Sequence, residues 1–433
     1  MEKVYIIGHR NPDFDSVCSA YAYAKLKNKI DPLKQYIPVR CGHLPESMKK
    51  VFAGMGIEPP KYIRDIFPKV RDIYLTSGVK IDADAPLNSV ATSYKATNPS
   101  VIPVFEGNKF FGLLSVDDIT RWAMEELLKN GKINEIPKVR DIMSPEEEPV
   151  TASELFEEAK RKLSSSKKRG LAVMEDNSFV GFVTRRCFLN KPRHNVILVD
   201  HNEPNQSIRG IEDAIIKEII DHHRLAAPKT DLPIFIDAEP VGSTCTIIYQ
   251  LFVRNNIVPD LTTSKVLLAG ILADTIILRS PTTTGIDVLS AERLAPLSGV
   301  SDLKAFGKAM FERVEGLERR NPADVITADM KVYSENGFEI GVGQCEVPTL
   351  HDIGNYMQKY LDALQSVREA KHLDWVLLMI TDVLRCRSIL LSSGHKMEAR
   401  LSYEQMEPHV FDMHDAVSRK MQLLPEIIYA VNG

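Results

Sequence analysis

The chain has 433 residues, 44% of them hydrophobic and 26% charged; this is ordinary globular usage, which excludes wholesale disorder and a small disulfide scaffold. At about 150 residues per domain the length predicts roughly three units. The formal net charge of -4 leaves no general basic field for nucleic acid, so an anionic ligand must meet a local basic site.

The six cysteines, Cys18, Cys41, Cys187, Cys245, Cys345 and Cys386, form no CxxC pair and read as free thiols of a reducing compartment. Neither a signal peptide nor an apolar run of about 18 residues is seen, so a cytoplasmic protein that does not engage a membrane is expected.

The chain opens with an apolar strand, Val4 to Ile7, a polar loop, Gly8 to Asp15, and an Ala-rich helix, Ser16 to Lys27. The loop carries His9, Asp13 and Asp15. One imidazole and two carboxylates on a loop can face one cavity, and such donors suit Mn²⁺, Co²⁺ or Mg²⁺ better than a thiolate-seeking ion. The alternative is that Asp13 and Asp15 only cap the helix that follows.

A repeat comes next. The hexapeptide PKVRDI stands at Pro68 to Ile73 and again at Pro137 to Ile142. At the same offset Glu106 recurs as Glu175, Asn108 as Asn177, Gly112 as Gly181 and Ser115 as Thr184. Each copy ends as strand, turn, Gly-containing strand and helix start, so two copies of a small α/β module are expected over about 67 to 190.

Three apolar runs follow, Asn195 to Val199, Ile215 to Ile220 and Val266 to Leu272. Each is expected as a buried parallel strand with polar groups at its carboxyl end, where open α/β sheets bind ligands. The polar groups are Asp200-His201-Asn202-Glu203, Asp221-His222-His223-Arg224 and Asp274. Carboxylates gathered in this way repel one another without cations, which favours a metal site. A lone buried His is usually satisfied by a hydrogen bond in the core, and His43, His194, His351, His372, His395, His409 and His414 receive only that reading.

From about residue 305 the pattern changes to amphipathic helix (Ser301 to Val314), strands within Lys331 to Val347 and a helical stretch, Thr349 to Ala370. A separate C-terminal lobe is expected, with a linker near Leu297 to Leu303. Near its end Val417-Ser418-Arg419-Lys420-Met421-Gln422 sets a guanidinium beside an ammonium in apolar surroundings, a pairing suited to phosphate oxygens, although two adjacent surface charges are the commoner case.

In this order the motifs GHRNPDFDS, DHNE at 200 to 203, DHH at 221 to 223, ADTIILRSPT at 273 to 282 and SRKMQ at 418 to 422 resemble those of the DHH superfamily of phosphoesterases, specifically the family II inorganic pyrophosphatases. The repeat resembles a tandem pair of cystathionine β-synthase (CBS) modules. The resemblance implies an α/β fold: a DHH catalytic domain (1–66 and 191–300) with a mainly parallel sheet, split by a CBS insert (67–190, copies about 67–135 and 136–190), and an α/β DHHA2 lobe (304–433), with the active site in the cleft between lobes.

It further implies an inorganic diphosphatase that cleaves diphosphate to two phosphates with a hydroxide activated by two metals, Mn²⁺ or Co²⁺, and Mg²⁺ accompanying the substrate. By carry-over His9 and Asp13 hold one metal, Asp15, His222 and Asp274 the other, and Asp200 bridges them. His223, Lys331, Ser418, Arg419 and Lys420 receive the substrate. Met421 replaces the usual Lys of the last motif, and two cations are expected to suffice. Adenine nucleotides (AMP, ADP, ATP) are implied as regulators at Ser115 and Asp118 of the first copy and at Thr184 of the second, where Cys187 stands in place of the ribose-holding Asp. A homodimer is the default. The rival readings are a polyphosphatase, an oligonucleotide or cyclic-dinucleotide phosphodiesterase, and a non-enzymatic sensor; the absence of a GG dipeptide and the acidic pI disfavour the phosphodiesterase.

Overall fold

The computed structural model describes residues 2–144, 148–226, 229–312 and 317–432. The chain divides into two compact units, one made of 1–65 with 195–433 and the other of 66–194.

In the first unit, strands Glu2–Ile7, Lys34–Arg40, Lys61–Tyr62, Asn195–Val199, Ile215–Asp221 and Phe235–Ala238 form one sheet, ordered in space as 235–238, 215–221, 195–199, 2–7, 34–40 and 61–62. Every neighbouring pair is parallel. The central strands are apolar without alternation because both faces are covered: Val196 to Val199 are fully buried. Helix Phe14–Ile30 crosses from the first strand to the second, and it begins where Asp13 accepts the Ser16 N–H at 2.8 Å. Gly8 ends the first strand, and a Cβ there would lie 2.5 Å from Ser16 Oγ and 2.6 Å from its carbonyl oxygen, so only glycine lets the loop turn so close to the helix start.

The expected strand Val266 to Leu272 is a helix, Leu261–Asp274, whose N-terminus Asp260 caps by accepting the Thr263 N–H at 2.7 Å. It lies among helices Phe14–Ile30, Thr244–Arg254 and Gly285–Ser298 and is buried on every side from Val266 to Ala273. A helix buried all round loses its amphipathic period, so a short apolar run there reads the same as a buried strand. The correction moves Asp274 from a strand end to the last residue of a helix. Gly270 sits at the tightest point of this packing: a Cβ would lie 2.4 Å from Cys245 Sγ and 3.1 Å from Asp15 Oδ1.

The Leu297 to Leu303 segment is a short connection between helices Gly285–Ser298 and Leu303–Phe311, closed by Gly299 in the left-handed region (φ 71°). Leu303, Phe306, Met310 and Phe311 pack into the same core as the parallel sheet. The expected helix Ser301 to Val314 is found as Leu303–Phe311, and its last two expected residues lie outside the described residues. Beyond it a six-stranded mixed sheet forms from Lys331–Glu335, Phe338–Val347, Trp375–Asp382, Arg387–Ser392, Glu404–Glu407 and Val410–Asp412. One parallel pair, 338–347 with 375–382, lies among antiparallel ones. Helix Met357–Ala370 contributes to the core on one face and helix Leu424–Asn432 to the core on the other.

The second unit holds two three-stranded sheets, Ile81–Asp82, Val101–Glu106, Lys109–Ser115 and Val150–Thr151, Gly170–Glu175, Ser178–Thr184. In each, the first pair is parallel and the second antiparallel, and even the register shift recurs, at Val104/Phe105 and at Val173/Met174. The repeated hexapeptide folds alike twice: the Asp72 carboxylate accepts the Lys69 N–H at 2.8 Å and the Asp141 carboxylate the Lys138 N–H at 3.2 Å. The copies meet through stacked Phe110 and Phe179, centroids 4.2 Å apart, and through Arg169, which donates Nε–H and Nη2–H to the two oxygens of Asp117 at 2.7 Å each. They differ after the last strand, where a full helix, Val116–Asn130, is matched by a single turn, Arg185–Phe188.

Gly270→Ala is expected to destabilise the first unit by about 1–3 kcal/mol, because an added methyl meets a sulfur and a carboxylate that have no room to retreat. Urea denaturation measures it, and an unchanged midpoint would mean that these helices separate freely.

Candidate active site

The carboxyl ends of the parallel strands bring three loops together. His9 follows the first strand, Asp200 the strand Asn195–Val199, and Asp221, His222 and His223 the strand Ile215–Asp221. Asp200 ends its strand in the left-handed region (φ 61°), an uncommon conformation for a non-glycine residue, and it is buried. His9 Nε2 lies 3.1 Å from Asp13 Oδ2 and 3.3 Å from Asp200 Oδ2. His222 Nε2 lies 3.4 Å from Asp200 Oδ1 and 3.4 Å from Asp274 Oδ2.

Asp13 and Asp15 take different parts. Asp13 caps its helix with Oδ1 and turns Oδ2 to His9, so the capping and ligand readings of this residue are both satisfied by one carboxylate. Asp15 is fully buried and caps nothing of its own helix. Its oxygens accept the Ser243 hydroxyl at 2.7 Å, the Thr244 N–H at 2.6 Å and the Cys245 N–H at 2.9 Å, all from the start of helix Thr244–Arg254, where a carboxylate is favoured. Thr244 also donates its hydroxyl to Asp200 Oδ1 at 3.0 Å.

Two histidines are oriented from behind. His222 Nδ1 faces the Val241 carbonyl at 3.1 Å, which makes Nδ1 the donor and leaves the Nε2 lone pair facing the carboxylates. The buried Asp221 carboxylate takes the His223 backbone N–H at 3.1 Å and its Nδ1 at 2.9 Å, while Asn202 donates to the other oxygen at 2.6 Å. Burial disfavours the charged imidazole of His223, but the bond to Asp221 and the charges of Asp200 and Asp221 together raise its pKa.

The donor sets fit divalent cations. His9, Asp13 and Asp200 form one group whose ligand atoms lie within 4.8 Å of one another, and Asp15, His222 and Asp274 form another; Asp200, His222 and His223 form a third, so that Asp200 stands in two of them. Asp200 Oδ2 and His222 Nε2 are buried without a hydrogen-bond partner, and such atoms are costly unless something binds them. Burial pushes the Asp200 carboxyl up to about 7, and Asp15 and Asp13 push it the same way; Asp274 is likewise raised, by burial and then by Asp15, Asp13 and Asp200. A nitrogen and oxygen set of this kind suits Mn²⁺, Co²⁺ or Mg²⁺.

The expected cations approach from the second sheet. Lys331 begins strand Lys331–Glu335. Burial lowers its pKa, as do Arg419 and Lys420, against the pull of Asp329 and Asp200, and His223 in turn feels the Lys331 charge. Arg419 and Lys420 begin a π-turn, Arg419–Leu423, which Ser418 caps by accepting the Met421 N–H at 3.2 Å. Arg419 is buried, whereas Lys420 and Met421 are exposed. In the other unit Ser115 and Asp118 are both buried, and Thr184 with Cys187 repeats their turn. The Asp118 carboxylate already accepts from the Ser115 N–H at 2.9 Å and hydroxyl at 2.6 Å, from the Ser144 N–H at 3.1 Å and hydroxyl, and from Arg121 Nη2 at 2.8 Å.

Residues that sequence reasoning left without a role stand beside these. Ser243 and Thr244 cradle Asp15 from the start of helix Thr244–Arg254, and nothing local in the sequence ties them to a carboxylate 228 and 229 positions away. Asp329 grips Arg419 through its carboxylate, 3.2 Å from Nη2, and no sequence spacing predicts that pairing.

The comparisons agree with the geometry. The model of the DHH family N-terminal domain matches residues 3–273, and that of the DHHA2 domain matches 308–430. A cobalt-dependent inorganic pyrophosphatase of Clostridium perfringens is 26% identical over 98% of this chain and 97% of its own length. A probable manganese-dependent inorganic pyrophosphatase of Streptococcus thermophilus is 32% identical over 67% of this chain and 96% of its own. Among solved structures, a Methanococcus jannaschii protein described as a family II inorganic pyrophosphatase has the same fold, with a TM-score of 0.60 and 21% identity over the whole of both chains. With the family model spanning more than half of its residues and relatives matched over nearly their full length, the chain belongs to the DHH family, among its metal-dependent inorganic pyrophosphatases.

Proposed function

We propose that the chain hydrolyses diphosphate to two phosphates, with His9 and Asp13 holding one divalent ion, Asp15, His222 and Asp274 a second, and Asp200 shared between them. The observation that carries this reading is that Asp200 Oδ2 and His222 Nε2 are buried without a hydrogen-bond partner where the donor groups meet. Bound Mn²⁺ or Co²⁺, with Mg²⁺ accompanying the substrate, would supply a hydroxide near neutral pH and Lewis-acid stabilisation of the phosphoryl oxygens.

The chain's own residues do the rest. Diphosphate is multiply anionic and is repelled by a cluster of carboxylates, so countercharge must be set before it can enter. Lys331, Arg419 and Lys420 provide that charge from the DHHA2 portion, and His223, held by Asp221, provides a donor on the opposite side. The substrate site is the cleft between the parallel sheet's carboxyl edge and this cationic set, where exclusion of water strengthens each interaction. Arg419 offers a planar fork for two oxygens of one phosphoryl group and Lys420 a mobile point charge. The domain division that goes with this reading is a DHH domain (1–66 and 191–300), a tandem CBS insert (67–190) and a DHHA2 lobe (304–433).

The insert is proposed as a regulatory unit for adenine nucleotides, on the strength of its doubled α/β pattern and the Ser115 and Asp118 turn. A ribose diol reaching Asp118 must displace Ser144 or Arg121, and Cys187 offers no carboxylate in the second copy, so at most one nucleotide of this kind is expected per chain. A homodimer in the cytoplasm completes the reading. No described helix is long and apolar enough to cross a membrane.

Phosphate release from diphosphate, tripolyphosphate and cyclic di-AMP in Mn²⁺ tests the activity, with diphosphate expected to be the preferred substrate by a wide margin; a preference for either of the others overturns it. Asp15→Ala should lose one metal equivalent in a Mn²⁺ titration and nearly all turnover, whereas Arg419→Ala should keep its metal and raise KM. Joining residues 66 and 191 by a short linker should leave a diphosphatase indifferent to AMP, and retained AMP sensitivity would remove the insert from regulation.

A further inference from the structure

Arg419 is held in an unusual way for a residue that is to receive substrate. The residue is 7% exposed. Nη1 donates to the Val342 carbonyl at 3.2 Å and to the Asp329 carbonyl, and Nη2 donates to Asp329 Oδ1 at 3.3 Å. A guanidinium carries five N–H donors in one plane. Three of them are thereby committed, those of Nη1 and the end-facing one of Nη2. The remaining two, Nε–H and the second Nη2–H, share one edge and have no partner among the described residues. That edge is the bidentate fork that matches two oxygens of a phosphoryl group.

The residue that selects this edge is Asp329. It holds the blunt end of the guanidinium through both its carbonyl and its carboxylate, which leaves the side edge without a partner among the described residues. It also stands as countercharge inside a cationic set that burial makes costly, since it opposes the lowering of the Lys331 pKa by Arg419. The same turn is tied to the ligand-bearing loop, because the Asn11 amide donates to the Ala328 carbonyl. One short segment, 328 to 331, therefore touches the His9 loop, orients Arg419 and supplies Lys331.

We propose that Asp329 is a positioning residue for the reaction: it fixes the Arg419 guanidinium so that its Nε/Nη2 edge is presented to a phosphoryl group. This rests on the reading of the site as a diphosphatase. The carboxylate is 56% exposed, so its removal spares the core, and the backbone bond from Arg419 to the Asp329 carbonyl survives it.

The test measures binding of imidodiphosphate, a diphosphate analogue with a nitrogen bridge, together with KM and kcat for diphosphate, in the full-length Mn²⁺ enzyme. Asp329→Ala is expected to weaken analogue binding and to raise KM by about tenfold, the loss of one charge-assisted hydrogen bond, while kcat changes much less and the Mn²⁺ titration stays unchanged. Asp329→Asn should recover part of the loss, because its amide oxygen still accepts from Nη2. In an Arg419→Ala background Asp329→Ala should add nothing, a non-additivity that a purely structural role would not give. Unchanged or tighter analogue binding in Asp329→Ala overturns the proposal, since it would make the carboxylate a bystander or a repellent. A wild-type enzyme that binds the analogue but spares diphosphate refutes the activity and leaves the binding arm to decide the positioning role; one that binds neither overturns both.

Discussion

Mutual repulsion of buried carboxylates is the constraint on which this structure turns. Asp13, Asp15, Asp200 and Asp274 converge where the parallel sheet ends, and the charges of Asp13 and Asp15 raise the cost of ionising Asp200 and Asp274. A fold selected for stability alone would not gather them. Every neighbouring feature offsets that cost in part: the start of helix Thr244–Arg254 takes Asp15, Asp13 caps its own helix, and the Thr244 hydroxyl reaches Asp200. What these bonds leave uncompensated is the affinity of the site for divalent ions.

The second sheet answers the first in charge. Metals alone would neutralise the carboxylates without favouring a diphosphate over any other anion. Lys331 and Arg419 are fixed, one at a strand start and one at a buried π-turn, and Lys420 beside them is exposed. On the proposed reading this combines a buried fork with an exposed cation, which suits a substrate whose two phosphoryl groups separate during the reaction.

Much of this was legible in the sequence where chemistry and chain geometry coincide. The strands before His9, Asp200 and Asp221 were readable because an apolar run that gives way at once to Asp and His marks the point where a buried strand leaves the core of an α/β sheet at its ligand-binding edge. The repeat was readable to the level of single turns, since identical hexapeptides form identical Lys–Asp caps. The run Val266 to Leu272 was misread because burial on all sides erases the helical period, and only length separates the two cases. Asp329 and Thr244 were not legible for another reason: their partners, Arg419 and Asp15, lie 90 and 229 positions away, and a single sequence carries no signal for such pairs.

The place where the sheet admits the 66–194 unit has a mechanical meaning. The chain leaves from Lys61–Tyr62, a two-residue strand paired on one side only, level with Val39 and Arg40 at the carboxyl edge. It returns at Asn195, which is paired on both sides with Val4 and Ile215 at the opposite, amino edge. The return is therefore held between two strands, whereas the exit is held by one strand and by the Asp65–Arg209 bridge beyond it, at the rim that carries His9.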